Sequence, residues 1–345
     1  MTVAGTPHVE ATPGGGVRPP LAWLAKLLRF EEAGLLLGFI LLVLVIGVPN
    51  PEFFQLGSIK TLLRQSAFVG IIAFGMVFLV SMVEIDLSVG GIYAVSATSS
   101  ALAIKAGLDP WLAVLMGLCI GALLGALNGI LTVLLEVPLI IVSLGTISIF
   151  FGLNLIVSGA SAVFGMPKAH PFFLMFGTDW LGLPAPAWLL LVVGVTLHVT
   201  FQHTRFGATV RAIGSNAAAA EFIGIRVRRT RIWTTTLVGF LAALSGVLTL
   251  AYFKTADPSV GADLELQVIA AVVIGGTSLA GGSGSMLGAM LGVLIISVID
   301  SGIVFYGVDP SYSRFVTGCV IIAAIALDRA VKRSRRAGDR IQSHL

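Results

Sequence analysis

Charge is scarce in this chain. Only 11% of its 345 residues are Asp, Glu, Lys or Arg, against 57% hydrophobic, and mean hydropathy is +1.00. A soluble domain carries roughly a quarter charged residues to coat its surface, so that class is excluded. Cysteine is scarce too. Cys119 and Cys319 both fall inside apolar runs, which excludes a disulfide framework or a thiolate metal site. His8, His170, His198, His203 and His344 lack metal-ligand spacing, so no metal is expected. No GxxxxGK[ST] run occurs, so the chain carries no P-loop for a nucleotide. The net charge of +4 sits in polar interruptions and reads as membrane topology, which gives no support to a nucleic-acid partner.

Long apolar runs are what the chain has. They define an all-α polytopic membrane protein, since about 20 apolar residues cross the hydrocarbon as a helix. The expected spans are 33–48, 62–83, 87–106, 111–135, 138–158, 187–201, 232–252, 264–281, 284–306 and 313–329, ten in all. The uncharged stretch 266–299 would make a single helix about 51 Å long at 1.5 Å per residue. It must break, and GGTSLAGGSGS (275–285) is where the backbone is free to do so, with Gly275, Gly276, Gly281 and Gly282 as hinges. EIDLSVGG (84–91), with Gly90 and Gly91, is expected to interrupt the spans in the same way.

Ten passes put both termini on one side. With that side cytoplasmic, Lys60, Arg64, Lys105, Lys168, Lys254 and Arg314 lie outside, and the other fifteen of the 21 Lys and Arg lie inside. This obeys the positive-inside rule. The chain then divides into a Pro/Gly-rich tail, 1–30, with a short interfacial helix over 21–30; a membrane body, 31–330; and a basic tail, 331–345. The outer loop 159–186 is long, prolyl and aromatic. It reads either as an interfacial loop anchored by Phe172, Phe173 and Trp180, or as a lip over a pathway.

The inner loop 202–231 is the anomaly. Asn216 is a good N-cap, Ala217, Ala218, Ala219 and Ala220 favour helix, Glu221 follows, and Gly224 fits the C′ position. A helix this short is unstable alone in water. Either it leans on its own bundle while Arg226, Arg228, Arg229 and Arg231 grip anionic lipid, or a cytoplasmic partner holds it and pushes on it.

Two carboxylates, Glu84 and Asp86, lie close to a membrane core, where charge is costly. Read one way, they are solvated at the inner end of a span, with Asp86 capping the helix that begins near Leu87. Read the other way, they belong to a gate or coupling contact. No second buried carboxylate motif accompanies them, so no catalytic residues are expected. Gly117, Gly121, Gly125 and Gly129, and Gly284, Gly288 and Gly292, form small-residue stripes suited to close helix packing. Ser88, Asn128, Asn154, Thr277 and Ser278 are polar residues within or beside spans, available to a passing solute or to interhelical hydrogen bonds.

Four blocks, in order, carry a resemblance. GATVRAIGSNAAAAEFIGIRVRRTRIWTTTLVGFLAALSGVL (207–248) resembles the coupling segment and following span of ribose/xylose/arabinose-type ABC sugar permeases, a branched-chain-permease-like family. EIDLSVGGIYAVSA (84–97), NGILTVLLEVPLIIVSLGT (128–146) and GGTSLAGGSGSMLGAMLGVLII (275–296) are similar to that family's acidic, Asn-Gly and glycine-rich blocks. The resemblance implies the membrane subunit of a sugar or polyol importer in the bacterial inner membrane. Its partners would be an ABC ATPase (often of tandem cassettes), a second permease and a periplasmic binding protein. ATP and Mg would stay on the ATPase. By similarity, Asn216–Gly224 would sit in a cleft of that ATPase, although Ala217-Ala218 replaces a glutamate pair found in many relatives. The rival reading is an ion-coupled secondary transporter or channel.

Overall fold

The computed structural model describes residues 32–309, together with Tyr312, Phe315, Val316, Gly318, Cys319 and Ile322. The two tails and nearly all of the expected tenth span lie outside the described residues. Twelve α-helices, one 3-10 helix (Pro51–Phe54) and one two-stranded hairpin make up the regular structure among them.

Among the described residues, six helices are long and apolar enough to cross a membrane: α2 (Leu56–Ser81), α4 (Pro110–Leu135), α5 (Leu139–Ser158), α7 (Ala185–His203), α10 (Val227–Phe253) and α12 (Met286–Phe305). Helices α1 (Ala33–Gly47), α3 (Val89–Lys105) and α11 (Leu264–Ile274) are shorter. The remaining three, α6 (Pro171–Phe176), α8 (Arg205–Ser215) and α9 (Ala217–Phe222), lie in connections.

Helix α2 is the axis of the bundle. From Ser66 to Ser81 every residue is buried, and α10, α12, α7 and α11 pack around it. It begins at Leu56, six residues before the expected span, and within it Arg64 stacks over the Tyr252 ring at 4.2 Å and donates to its hydroxyl at 2.6 Å.

Helices α4 and α10 approach most closely, and the glycine stripe is the reason. A Cβ on Gly121 would collide with Ala243 and the Gly239 carbonyl; one on Gly125 would meet Gly239 and Thr235. That stripe therefore packs two helices of this same chain. The second stripe works likewise, Gly288 against Gly275 and Gly292 against Ala271. Where apolar contact between helices gains little over lipid, such small-residue approach supplies the packing.

The glycine-rich break is present, with φ of 82° at Gly276, 84° at Gly281 and 80° at Gly282. Gly275 caps α11 in ordinary geometry. Gly90 and Gly91 are not hinges. Both lie in the first turn of α3, where Gly90 makes room for the Gly261 carbonyl and Gly91 for Phe150. The break between α2 and α3 falls earlier, over 82–88, with Val83 at φ 63°.

The long outer loop folds onto the protein instead of anchoring in lipid. Phe172 and Phe173, on α6, are buried with Val247, Leu250 and Ala251. Trp180 pairs with Leu183 in the hairpin β1 (Asp179–Trp180) and β2 (Leu183–Pro184).

Candidate coupling site

The handle is built in two steps. Thr204 caps α8 by accepting from Gly207 N–H at 3.3 Å, and α8 turns Val210 and Ile213 inward. Phe78 of α2 meets Phe201 edge-on at 5.1 Å and stacks with Phe206 at 5.8 Å. Arg211 lies over the Phe201 ring at 5.1 Å and donates to the Phe201 carbonyl. So α8 is fastened to α2 and α7.

Helix α9 hangs from α8. Asn216 Oδ1 accepts from Ala219 N–H at 3.0 Å, the expected N-cap. At the other end Gly224 adopts φ 89°. Its N–H donates to the Glu221 carbonyl, and Ile225 N–H donates to the Ala220 carbonyl, each at 3.0 Å. That is a Schellman closure. Ala220 faces the protein's own core at 2% exposure, whereas Ala217, Ala218, Ala219 and Glu221 are exposed. Sequence reasoning passed over the tip: Phe222 is 91% and Ile223 74% exposed. Two large apolar side chains on a polar loop were the available signal.

The handle is wired to two breaks in the bundle. Gly214, near the end of α8, lies against the Ser81 carbonyl and Gly282. Gly282 N–H donates to that same carbonyl at 2.9 Å, and Ser81 Oγ donates to the Ser283 carbonyl at 3.2 Å. The end of α2, the end of α8 and the glycine loop thus meet at one point.

Beside the handle is a groove of about 650 Å³ lined by Glu84, Glu136, Pro138, Asn216, Arg228 and Arg231, among others. Glu84 is 5% exposed. It pairs with Arg231 Nε at 2.7 Å and accepts from Leu139 N–H at 3.2 Å. In the sequence Arg231 reads only as an inside charge available to anionic lipid, with no carboxylate partner assigned. Glu136 and Arg228, both largely exposed, pair at 3.0 Å across the rim.

Asp86 has different neighbours. Fully buried, it accepts from Ser88 N–H at 2.8 Å, from Ser88 Oγ–H at 2.7 Å and from Asn128 Nδ2 at 3.3 Å. Asn128 also donates to Ser88 Oγ at 2.6 Å. The solvated reading of the two carboxylates is therefore overturned. Asp86 does not cap a helix starting at Leu87 either: α3 starts at Val89, and Asp86 closes a local turn before it. A buried carboxylate needs such donors, because unpaired charge at that depth is expensive.

The sequence-named polar residues separate into groups. Asp86, Ser88 and Asn128 meet. Asn154 is elsewhere, donating to the Pro258 carbonyl at 3.0 Å. Thr277 and Ser278 sit in the glycine loop, where Ser278 N–H donates to the Ser283 carbonyl at 3.3 Å. Glu265, buried at 8% exposure in the first turn of α11, stands against Gly90 and was not singled out in sequence.

A bundle of membrane-crossing helices with a protruding handle wired into its breaks is the build of a transport subunit. Residues 58–325 match the family described as branched-chain amino acid transport system / permease component, and the chain belongs to that family. It is a permease, a multi-pass protein of the bacterial inner membrane. The chain is 40% identical to the ribose import permease protein of Bacillus subtilis strain 168, over 87% of this chain and 93% of that protein. It is 34% identical to the D-allose transport system permease protein of Escherichia coli strain K12, over 89% and 94%. To a probable ABC transporter permease protein of the same strain it is 37% identical, over 86% and 89%. No solved structure matches it.

Proposed function

We propose that this permease moves a ribose-like monosaccharide or a related small polyol into the cell, with ATP hydrolysed on a separate subunit. The family description names branched-chain amino acids, but relatives matched along nearly their whole length are named for ribose and D-allose. Those names carry the solute class.

One observation carries the mechanism. A six-residue helix, capped at both ends, presents Phe222 and Ile223 to solvent. Large apolar side chains held out this way fit a cleft on a partner. Closure of an ATPase dimer would push α9, then α8, then the junction of Ser81 with Gly282, loosening the α2–α3 break and the α11–α12 break together. The chain itself then binds no nucleotide and no cofactor. A second permease, either a copy or a paralogue, completes the pathway, and a periplasmic binding protein delivers the solute.

Ten passes with both termini cytoplasmic suit this arrangement. The handle then lies on the side of the ATPase, in keeping with the fifteen-to-six distribution of Lys and Arg. The tails 1–30 and 331–345 would flank the membrane body on that same side.

The test is to replace Phe222 and Ile223 together by Asp. Both side chains point away from the fold, so the chain should still insert. Co-purification of the ATPase and uptake of labelled ribose should each fall about tenfold or more, the loss expected for hot-spot side chains. Unchanged co-purification would remove the coupling role from α9.

A further inference from the structure

We infer that the solute has a binding station inside the bundle, where Gln65, Gln267, Ser297 and Asp300 converge on one cavity between α2, α3, α11 and α12. It rests on the sugar reading above and adds residues which that reading does not name.

Helix α11 has 11 residues and is about 16 Å long, too short to cross. The chain from the end of α10 reaches it as irregular backbone, 254–263. That segment runs deep. The Gly261 carbonyl packs against Gly90, in the first turn of α3, which lies about 22 Å along the helix from Lys105 at its other end. Asn154 holds the Pro258 carbonyl on the way down. Non-helical backbone at membrane depth persists only where it is buried in protein or lines a watery cavity. In transporters, helices that start partway through the membrane mark binding sites.

Here the cavity is present. It holds about 270 Å³, and its lining includes Gln65, Tyr93, Gly261, Gln267, Ser297 and Asp300. A wider cavity of about 520 Å³ toward the outer ends of α2 and α12 shares Gln65 and Asp300 with it and adds Ser58, Thr61 and Ser301. Gln65 and Asp300 thus stand at the neck between a vestibule and an inner chamber. The chamber is just below the range of about 300–1,000 Å³ that holds drug-sized ligands, a size for one small solute.

The chemistry selects the class. Glutamine amides both donate and accept, and a carboxylate accepts from vicinal hydroxyls. Among the described residues, the chamber is lined by amide, hydroxyl and carboxylate groups and by no Lys, Arg or His. A neutral polyhydroxylated molecule satisfies this set. Few and mobile hydrogen bonds also suit a site that must release what it holds.

The experiment uses the whole transporter, with ATPase and binding protein, in proteoliposomes. Gln267→Ala and Asp300→Asn should each lower ribose uptake about tenfold, the worth of one lost hydrogen bond to solute, and should change the preference between ribose and D-allose. ATPase stimulation by loaded binding protein should persist. Gly145→Ala, on an open face of α5, should transport normally. A second readout does not depend on transport. Gln267→Cys, in a chain with Cys119→Ser and Cys319→Ser, should react in intact cells with a membrane-impermeant maleimide added outside. Normal uptake with unchanged preference, or an unreactive Cys at 267, overturns the station while leaving the sugar reading intact. A wild-type transporter that moves neither sugar removes both.

Discussion

Glu84 and Asp86 are two residues apart, and the fold gives them unrelated tasks. The backbone over 82–88 is irregular, so its side chains diverge: Glu84 turns to Arg231 at the groove, Asp86 to Ser88 and Asn128 inside the bundle. The acidic pair was visible in sequence as a costly anomaly. Its partners were not, since Arg231 lies far along the chain and nothing in a span pattern distinguishes it from neighbouring arginines. Removing one member of a buried pair typically costs about 3–5 kcal/mol, and a third-exposed Arg231 puts this pair at or below the low end. Arg231→Ala should therefore lower the melting temperature of the detergent-solubilised protein. Adding Glu84→Gln should restore part of the loss, because no uncompensated charge then remains buried. Additive losses in the double variant would show that the two side chains do not interact. Glycine shows the same dependence on surroundings: Gly276 and Gly281 bend the backbone, while Gly90 only makes room for a carbonyl.

At the scale of elements, local chemistry predicted best where an element closes on itself. The N-cap at Asn216 and the left-handed glycine at Gly224 were legible because capping involves neighbours in sequence. Gly224→Val forces a β-branched residue into φ 89° and should cost about 1–2 kcal/mol; Asn216→Ala should cost about 1 kcal/mol. Both changes should speed hydrogen exchange at the amides of 219–225, and coupled transport should fall with the helix. Unchanged exchange in both variants would mean that the core contact of Ala220 alone holds α9. Elements set by distant neighbours read less well. The aromatic outer loop read in sequence either as an interfacial anchor or as a lip over a pathway, and of these the structure opposes the anchor, because Phe172 and Phe173 fill a space between α4 and α10. Helix α10 runs inward past its expected limit of 232 as far as Val227, because Thr230 and Val227 are buried and continue the helical face.

For the molecule as a whole, sidedness is the property to test. In a chain lacking Cys119 and Cys319, a cysteine in place of Phe164, exposed in the outer loop, should label from outside intact cells. A cysteine in place of Phe222 should label only after the membrane is opened. Reversed labelling would put the handle on the wrong side for any ATPase. Sequence by itself determined the all-helical membrane class and the two places where the helical runs break, because transfer of apolar side chains to lipid and glycine's backbone freedom depend on residue type and short-range order alone. Only the tertiary structure decided which polar residues meet. It joined Glu84 to Arg231, packed α4 on α10 through glycines, and drew Gln65, Gln267 and Asp300 around one cavity. Hydrogen bonds and close packing act over a few ångströms between residues that may be two hundred positions apart, and that distance is fixed only when the bundle closes.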